Sequence, residues 1–260
     1  NVVEGDDGLL AHYRPEDQGG PIHLINTCLN ETRDSDSSLY NADRKGALLT
    51  VSWRGMEVGP SEVHKHPCPE QAGTVGQWVA ISGAAASPGA GAYTSRGLAL
   101  LLYFLGIRLG FWIASPIRTP GLRWLSQLGW DWFPKPLMLT CEATATFMGK
   151  ERPWWYVSDG GHFDNTGVYP LIKRELDFIM LCDASSDRHF HFSDLENLVR
   201  KARIDFGAEI EFYTRAEAAD KFKSDAAGIT VLSPEDMKDS HSSRGVLLAR
   251  VRYRVEPGTG

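Results

Sequence analysis

Two spacings of apolar residues alternate along the chain, a strand-like one with period two and a helix-like one with neighbours three and four apart. "PIHLINTCLNET" predicts a strand over Ile22–Asn30, and "ALLTVSWRG" a second over Ala47–Gly55. Residues 56–76, with Pro60, Pro67 and Pro69, read as loop. "GQWVAISGAAASPGAGA" opens as a short helix or strand and passes into a small-residue loop. Arg96 to about Ala114 forms an apolar helix candidate, and "MLTCEATATFM" a second helix. "TPGLRWLSQLGWDWFPKPL", between them, is amphipathic and broken by prolines. "WWYVSDGG" is a short strand that stops at its glycines. "NTGVYPLIKREL" reads as a helix starting near Asn165 or Thr166, and "DFIMLCDAS" as a buried strand of parallel type, apolar on both faces. "SDLENLVRKARIDFG" carries Ser193 as an N-cap with Glu196 three residues on, a capping box, and a stop at Gly207. "AEIEFYT", "GITVLS" and "RGVLLARVRYRV" add strands. Strands alternating with helices predict an α/β sheet that is at least partly parallel.

The Leu98–Ala114 run has the length of a membrane span. Arg108 lies within it and Gly106 and Gly110 weaken it, and a charge at membrane depth costs a few kcal/mol. It is therefore read as a buried or interface-facing core helix rather than a transmembrane one.

Composition narrows the classes. The 260 residues suit one large domain or two small ones, and 42% hydrophobic with 23% charged residues is ordinary for a globular core. A net charge of −6 argues against a nucleic-acid binder, which needs a clustered basic surface. Six of the eight tryptophans fall between Trp112 and Trp155, which suits a ligand pocket, a lipid–water interface or a large aromatic core. Cys28, Cys68, Cys141 and Cys182 are scattered without a CxxC pair, so a reduced, cytoplasm-facing location is expected. No signal peptide is visible at "NVVEGDDGLL". The start at Asn1 and the end at "RVEPGTG" read as those of a piece of a longer protein.

Candidate chemistry centres on Asp159-Gly160-Gly161, a carboxylate at a strand tip followed by residues that allow close backbone approach. Such a position suits a catalytic base or a ligand contact; it equally suits a turn aspartate. Trp154, Trp155, Tyr156 and Phe163 are candidate walls that would raise carboxylate basicity by excluding water, and His162, Asp164 and Asn165 follow closely. Elsewhere, His64, His66 and Cys68 would share a strand face as zinc ligands do, but lack a fourth partner and are read as loop. "DSDSS" lacks the glycine and glutamate of a calcium loop. "HFHF" reads as a helix lead-in, Asp183 as a turn cap or a loop holder beside the site, and Arg200-Lys201-x-Arg203 as a solvated helix face or a contact for anionic headgroups.

"SDGGHFDNTGVYPLIKRELDFIMLCDAS" resembles the acid-residue motif of the patatin-like phospholipases, above all their bacterial membrane-linked branch. "HLINTCLNET", "DRKG", "WVAISGAAASPGAG" and "LENLVRKARIDFGAEI" are similar to the same branch, so the resemblance spans most of residues 20–212. Cytosolic phospholipases A2 are more distant relatives. The resemblance implies a three-layer α/β fold with a mostly parallel central sheet, residues 1–260 being the central and C-terminal part of a single domain. It also implies a lipid acyl-ester hydrolase of phospholipase A or lysophospholipase type, acting without metal or cofactor on phospholipid or another lipid ester at a membrane surface. The protein would then be cytoplasmic or bound to the cytoplasmic face. In such enzymes a serine in GxSxG attacks the ester and the aspartate of DGG takes its proton directly. Here Asp159 is that base, Gly160 and Gly161 support it, and Trp155, Tyr156, His162, Phe163 and Asn165 are expected to line the site. No GxSxG occurs; the nearest segment is Ala85–Gly89, whose Ser87 precedes a proline. The nucleophile and oxyanion loop are therefore expected upstream of Asn1. The alternatives are a non-catalytic, membrane-associated lipid-binding module that kept the α/β shell and, more remotely, a metal-dependent hydrolase built on His162 and Asp164.

Overall fold

The computed structural model describes residues 7–33, 43–60, 62–64, 73–116, 132–187, 189, 191–222 and 245–254. "DSDSS", "GITVLS", His66, Cys68 and residues 117–131 lie outside them. The chain divides into two compact units, Asn1–Asn165 and Thr166–Gly260.

In the first unit, six strands form one sheet: β1 (Ile25–Asn30), β2 (Gly46–Ser52), β3 (Gly55–Val58), β4 (Glu62–His64), β5 (Phe111–Ala114) and β6 (Trp154–Asp159). Their order is β4-β3-β2-β1-β6-β5. Every pairing is antiparallel, which corrects the expected mostly parallel sheet. One cause lies in the connections. Trp53 and Arg54 alone join β2 to β3, and a link that short permits only a hairpin, because parallel neighbours need a crossover of a dozen residues or more. A second cause is that β1 and β5 occupy both edges of β6, leaving no room beside it for a following parallel strand. The "DFIMLCDAS" run forms no strand at all, and its Phe178 is 76% exposed.

Residues paired across strands share a face. One face carries Ile25, Leu29, Leu49, Val51, Met56, Val58, Trp155 and Val157, all buried. Helix α1 (Val75–Ser82) closes this face with Trp78 and Ile81. It starts where the Thr74 hydroxyl accepts the Gln77 N–H at 3.2 Å. Each such fully buried large apolar side chain contributes about 1.5–3 kcal/mol. The other face holds Tyr156, stacked on Phe147 at 4.5 Å and met edge-on by Trp112 at 5.1 Å. Ala99 of helix α2 (Arg96–Phe104) and Ala145, which follows helix α3 (Pro134–Thr144), complete that cluster.

The apolar helix expected over Arg96–Ala114 ends at Phe104. Gly106 there adopts φ +70°, a left-handed conformation that stops helices, and Phe111–Ala114 pairs with β6 instead. Nor is the helix buried: only Ala99 is fully inside. No helix among the described residues is long and apolar enough to cross a membrane. In α3, Pro134 and Pro136 sit in the first turn rather than breaking the helix.

The second unit pairs β7 (Ala208–Phe212) with β8 (Ala249–Tyr253) antiparallel, beside helices α4 (Tyr169–Ile172), α5 (Ser193–Phe206) and α6 (Arg215–Phe222). The helix expected from Asn165 or Thr166 is reduced to the four residues of α4. The expected capping box is absent. Phe192, not Ser193, occupies the N-cap at φ +54°, and its N–H donates to Asp187 Oδ2 at 2.7 Å. His189 and His191 fall in this lead-in, their rings 5.7 Å apart. Arg200 and Arg203 are exposed as a solvated face requires, but Lys201 is buried. Asp183 caps its own turn, accepting the Ser185 N–H at 2.8 Å.

Candidate functional site

Asp159 is the last residue of β6 and caps the single 3-10 turn Gly160–His162. Its Oδ1 accepts the Gly161 N–H at 2.7 Å. Its Oδ2 carries no hydrogen bond among the described residues, and the side chain is half-buried. One oxygen is therefore fixed and the other is free to accept a proton.

The turn is held against the sheet by the absence of side chains. A Cβ on Gly160 would collide with the carbonyl oxygen of Asn26, which is β1 backbone. A Cβ on Gly161 would meet only the tip of the exposed Asn165 amide at 2.8 Å and Asp159 Oδ1 at 3.2 Å. The two glycines of the motif thus do different work: Gly160 permits contact with β1, whereas Gly161 supplies the N–H that pins the carboxylate. The Gly160 carbonyl then accepts from both Phe163 N, at 3.0 Å, and Asp164 N, at 2.9 Å, closing the turn.

Strand alternation separates the expected lining. Trp155 and Val157 share a face with Asp159, while Tyr156 and Ser158 point to the opposite one. Trp155 is fully buried two pleats back in the core. Tyr156 belongs to the other layer, where burial pushes its phenol pKa well above 10. Phe163 is buried, with the Arg44 guanidinium 6.0 Å from its ring centre. Of the five residues expected to line the site, His162 ends the turn, and Phe163 and Asn165 follow it. The residue facing Asp159 across the ladder is Thr27, whose hydroxyl donates to Leu49 O at 3.1 Å. Sequence pattern offered no signal for it, because the β1–β6 pairing joins residues more than a hundred positions apart.

The turn also anchors a polar chain that sequence reasoning missed. His162 Nε2 lies 3.1 Å from Ala85 O and its Nδ1 lies 2.9 Å from Ser158 Oγ. A carbonyl only accepts, so Nε2 carries the proton and Nδ1 accepts from the Ser158 hydroxyl. Ser158 Oγ in turn accepts from Asn30 Nδ2 at 2.9 Å, and Asn30 Oδ1 accepts the Gly91 N–H at 2.9 Å. Ser158 and Asn30 are fully buried. This chain needs a neutral imidazole. Burial lowers the His162 pKa below 6.5, against the opposing pull of the Asp159 charge and the Ala85 carbonyl.

Nearby serines are committed elsewhere. Ser82 Oγ donates to Asn26 O at 2.7 Å. Ser87 is buried and donates to the Gly89 carbonyl. Among the described residues no group of three or more His, Cys, Asp and Glu side chains is arranged to hold a metal ion. Comparison with family models, curated protein sequences and solved structures returns no match.

Two outcomes follow from this geometry. Gly160→Ala forces a methyl group into fixed backbone and is expected to cost about 1–3 kcal/mol. Gly161→Ala meets only side-chain atoms, the Asn165 amide and Asp159 Oδ1, and costs less than about 1 kcal/mol. Urea denaturation of the two variants measures the difference, and equal losses would refute the close approach at Gly160. For His162, a lowered folded pKa means that the unfolded chain takes up the proton first. Its contribution is full above the unfolded pKa of roughly 6.5 and is lost as pH falls from there toward the folded value. Unfolding free energies measured from pH 8 down to about 5 should therefore fall more steeply for the wild type than for His162→Gln, by up to roughly 1.4 kcal/mol per pH unit. Parallel curves would show that His162 is not the buried neutral group described.

Proposed function

We propose that this chain supplies the base of a serine acyl hydrolase acting on lipid esters, with Asp159 as the proton acceptor. The observation that carries the reading is the state of the Asp159 carboxylate: at a strand tip, half-buried, one oxygen pinned by the Gly161 N–H and the other unbonded among the described residues. A general base needs a fixed orientation and an open lone pair within reach of the proton it takes. The resemblance of "SDGGHFDNTGVYPLIKREL" to the patatin-like motif supports the lipid-ester class.

In this reading a serine from outside residues 1–260 gives its hydroxyl proton to Asp159 Oδ2 as its oxygen adds to the ester carbonyl. The tetrahedral intermediate collapses, the acyl–oxygen bond breaks, and the departing alkoxide takes the proton back from Asp159. Water, deprotonated by the same carboxylate, then releases the fatty acid and restores the serine. Ser82 and Ser87 are not the nucleophile: both hydroxyls donate to backbone carbonyls, and Pro88 leaves no N–H after Ser87 for an oxyanion.

A second reading, a lipid-binding module without catalysis, is favoured by the absence of any GxSxG among the 260 residues. One experiment separates the two. In the full-length protein, Asp159→Asn keeps the Gly161 contact through its amide oxygen but cannot accept the proton, so ester hydrolysis should fall roughly 100- to 10,000-fold with little change in melting temperature. An active Asp159→Asn protein would sink the assignment. A wild-type protein that neither hydrolyses esters nor reacts with a fluorophosphonate at any serine would favour the module.

A further inference from the structure

Helix α2 is apolar on two sides but has a neighbour on only one. Ala99 is buried, and Leu102 and Tyr103, three and four positions on, are half-buried; this stripe faces the protein. Leu98, Leu101, Phe104 and Leu105 lie on the outward stripe and are exposed, Leu101 at 54% and Phe104 at 78%. The exposure continues past the helix through Leu109 to Phe111. Just before α3, which packs against α2, Trp132 and Phe133 are exposed too. Among the described residues nothing covers this surface. Isolated exposed leucines are ordinary, but contiguous apolar patches of this kind mark a docking surface.

Charge identifies what docks. The chain as a whole is acidic, with 33 Asp and Glu against 27 Lys and Arg. Yet no acidic residue occurs from Gly91 to Pro116. The only acid in α3, Glu142, is buried and joined to Arg108 Nε at 2.5 Å and to Trp112 Nε1 at 2.8 Å. That pair is internally neutral, which leaves Arg96 and Lys135 as exposed cations on these helices with no exposed acid beside them among the described residues. An anionic lipid surface answers both features, taking the apolar side chains below its headgroups and the cations among them.

We propose that the outward face of α2, continued through Leu109 and Phe111, is where this protein lies on an anionic membrane. Nine helical residues span about 14 Å, less than half the hydrocarbon thickness, so the helix lies in the interface rather than crossing it. The proposal deepens the lipid-surface reading above. Because it stands on exposure and charge, not on Asp159, its readout is binding, and either reading can fail alone.

The test is co-sedimentation of the full-length protein with vesicles of phosphatidylcholine mixed with phosphatidylglycerol, and with pure phosphatidylcholine. Wild type should bind the mixed vesicles more tightly, with binding weakened by salt. Leu101→Glu/Phe104→Glu should lower the partition coefficient on both vesicles at least about tenfold. Arg96→Glu/Lys135→Glu should lower it about tenfold on the mixed vesicles and leave pure phosphatidylcholine unchanged. Leu101→Ser/Phe104→Ser guards against misfolding, since it removes the apolar face without adding charge and should lose binding while keeping the wild-type circular dichroism. Absent binding by the wild type, unchanged binding by the apolar variants, or a wild-type dimer that these variants dissolve would each overturn the proposal. Loss of hydrolysis in Asp159→Asn with vesicle binding intact would leave it standing.

Discussion

The whole candidate site hangs on one buried amide. Asn30 sits on β1 with no exposed surface, and its two polar atoms reach three separate parts of the chain. Its Nδ2 donates to Ser158 Oγ, with Cys28 O at 3.3 Å and Tyr156 O at 3.4 Å also near, while Oδ1 takes the Gly91 N–H. That arrangement ties β1 to β6 and both to the loop after α1. In a dry interior each of these groups would be costly if left unpaired, so the bonds stand or fall together. His162 extends the tie to Ala85 and fixes the turn that orients Asp159. The carboxylate is thus positioned from the far face of the sheet, through a run of hydrogen bonds in which it takes no part.

Local structure was legible in the sequence and the long-range pairing was not. "WWYVSDGG" announced a strand stopping at glycines, and it does, because Gly160 is needed where the chain meets β1. β1, β7 and the stop at Gly207 were likewise readable, since each is set by local period or by a residue suited to φ > 0. Strand direction was not readable: an apolar run gives burial but no partner. "DFIMLCDAS" has the composition of a parallel central strand, yet no ladder receives it. α2 failed in the opposite sense. Its uniform apolarity suggested one long helix, buried or facing an interface, whereas Gly106 divides it and solvent meets most of its surface. For the site, DGG pointed to Asp159, while Asn30, Ser158 and Thr27 carried no signal because their roles arise only from the β1–β6 register.

The antiparallel sheet also changes the argument for a site at Asp159. In open parallel sheets the carboxyl ends of the strands gather on one edge and form a crevice. Here neighbouring strands run in opposite directions, so a strand end has no privileged location. What distinguishes the tip of β6 is local: Asp159 is paired with Thr27 of β1, and the residue after it is pressed against the same strand. That rigidity holds the carboxylate in one orientation while leaving one oxygen open.

Rigidity alone does not make a carboxylate a strong base. Asp159 remains half-buried, and a water-exposed carboxylate takes a serine proton poorly. Aromatic shelter from Trp155 and Tyr156 does not meet the need, because one is two pleats away in the core and the other faces the opposite layer. In the proposed hydrolase the missing desolvation must come from what approaches the site, namely the serine-bearing segment and the lipid substrate. Both would displace water from the open oxygen as they arrive. In that proposal the site is complete only when the serine-bearing segment and the lipid are both in place.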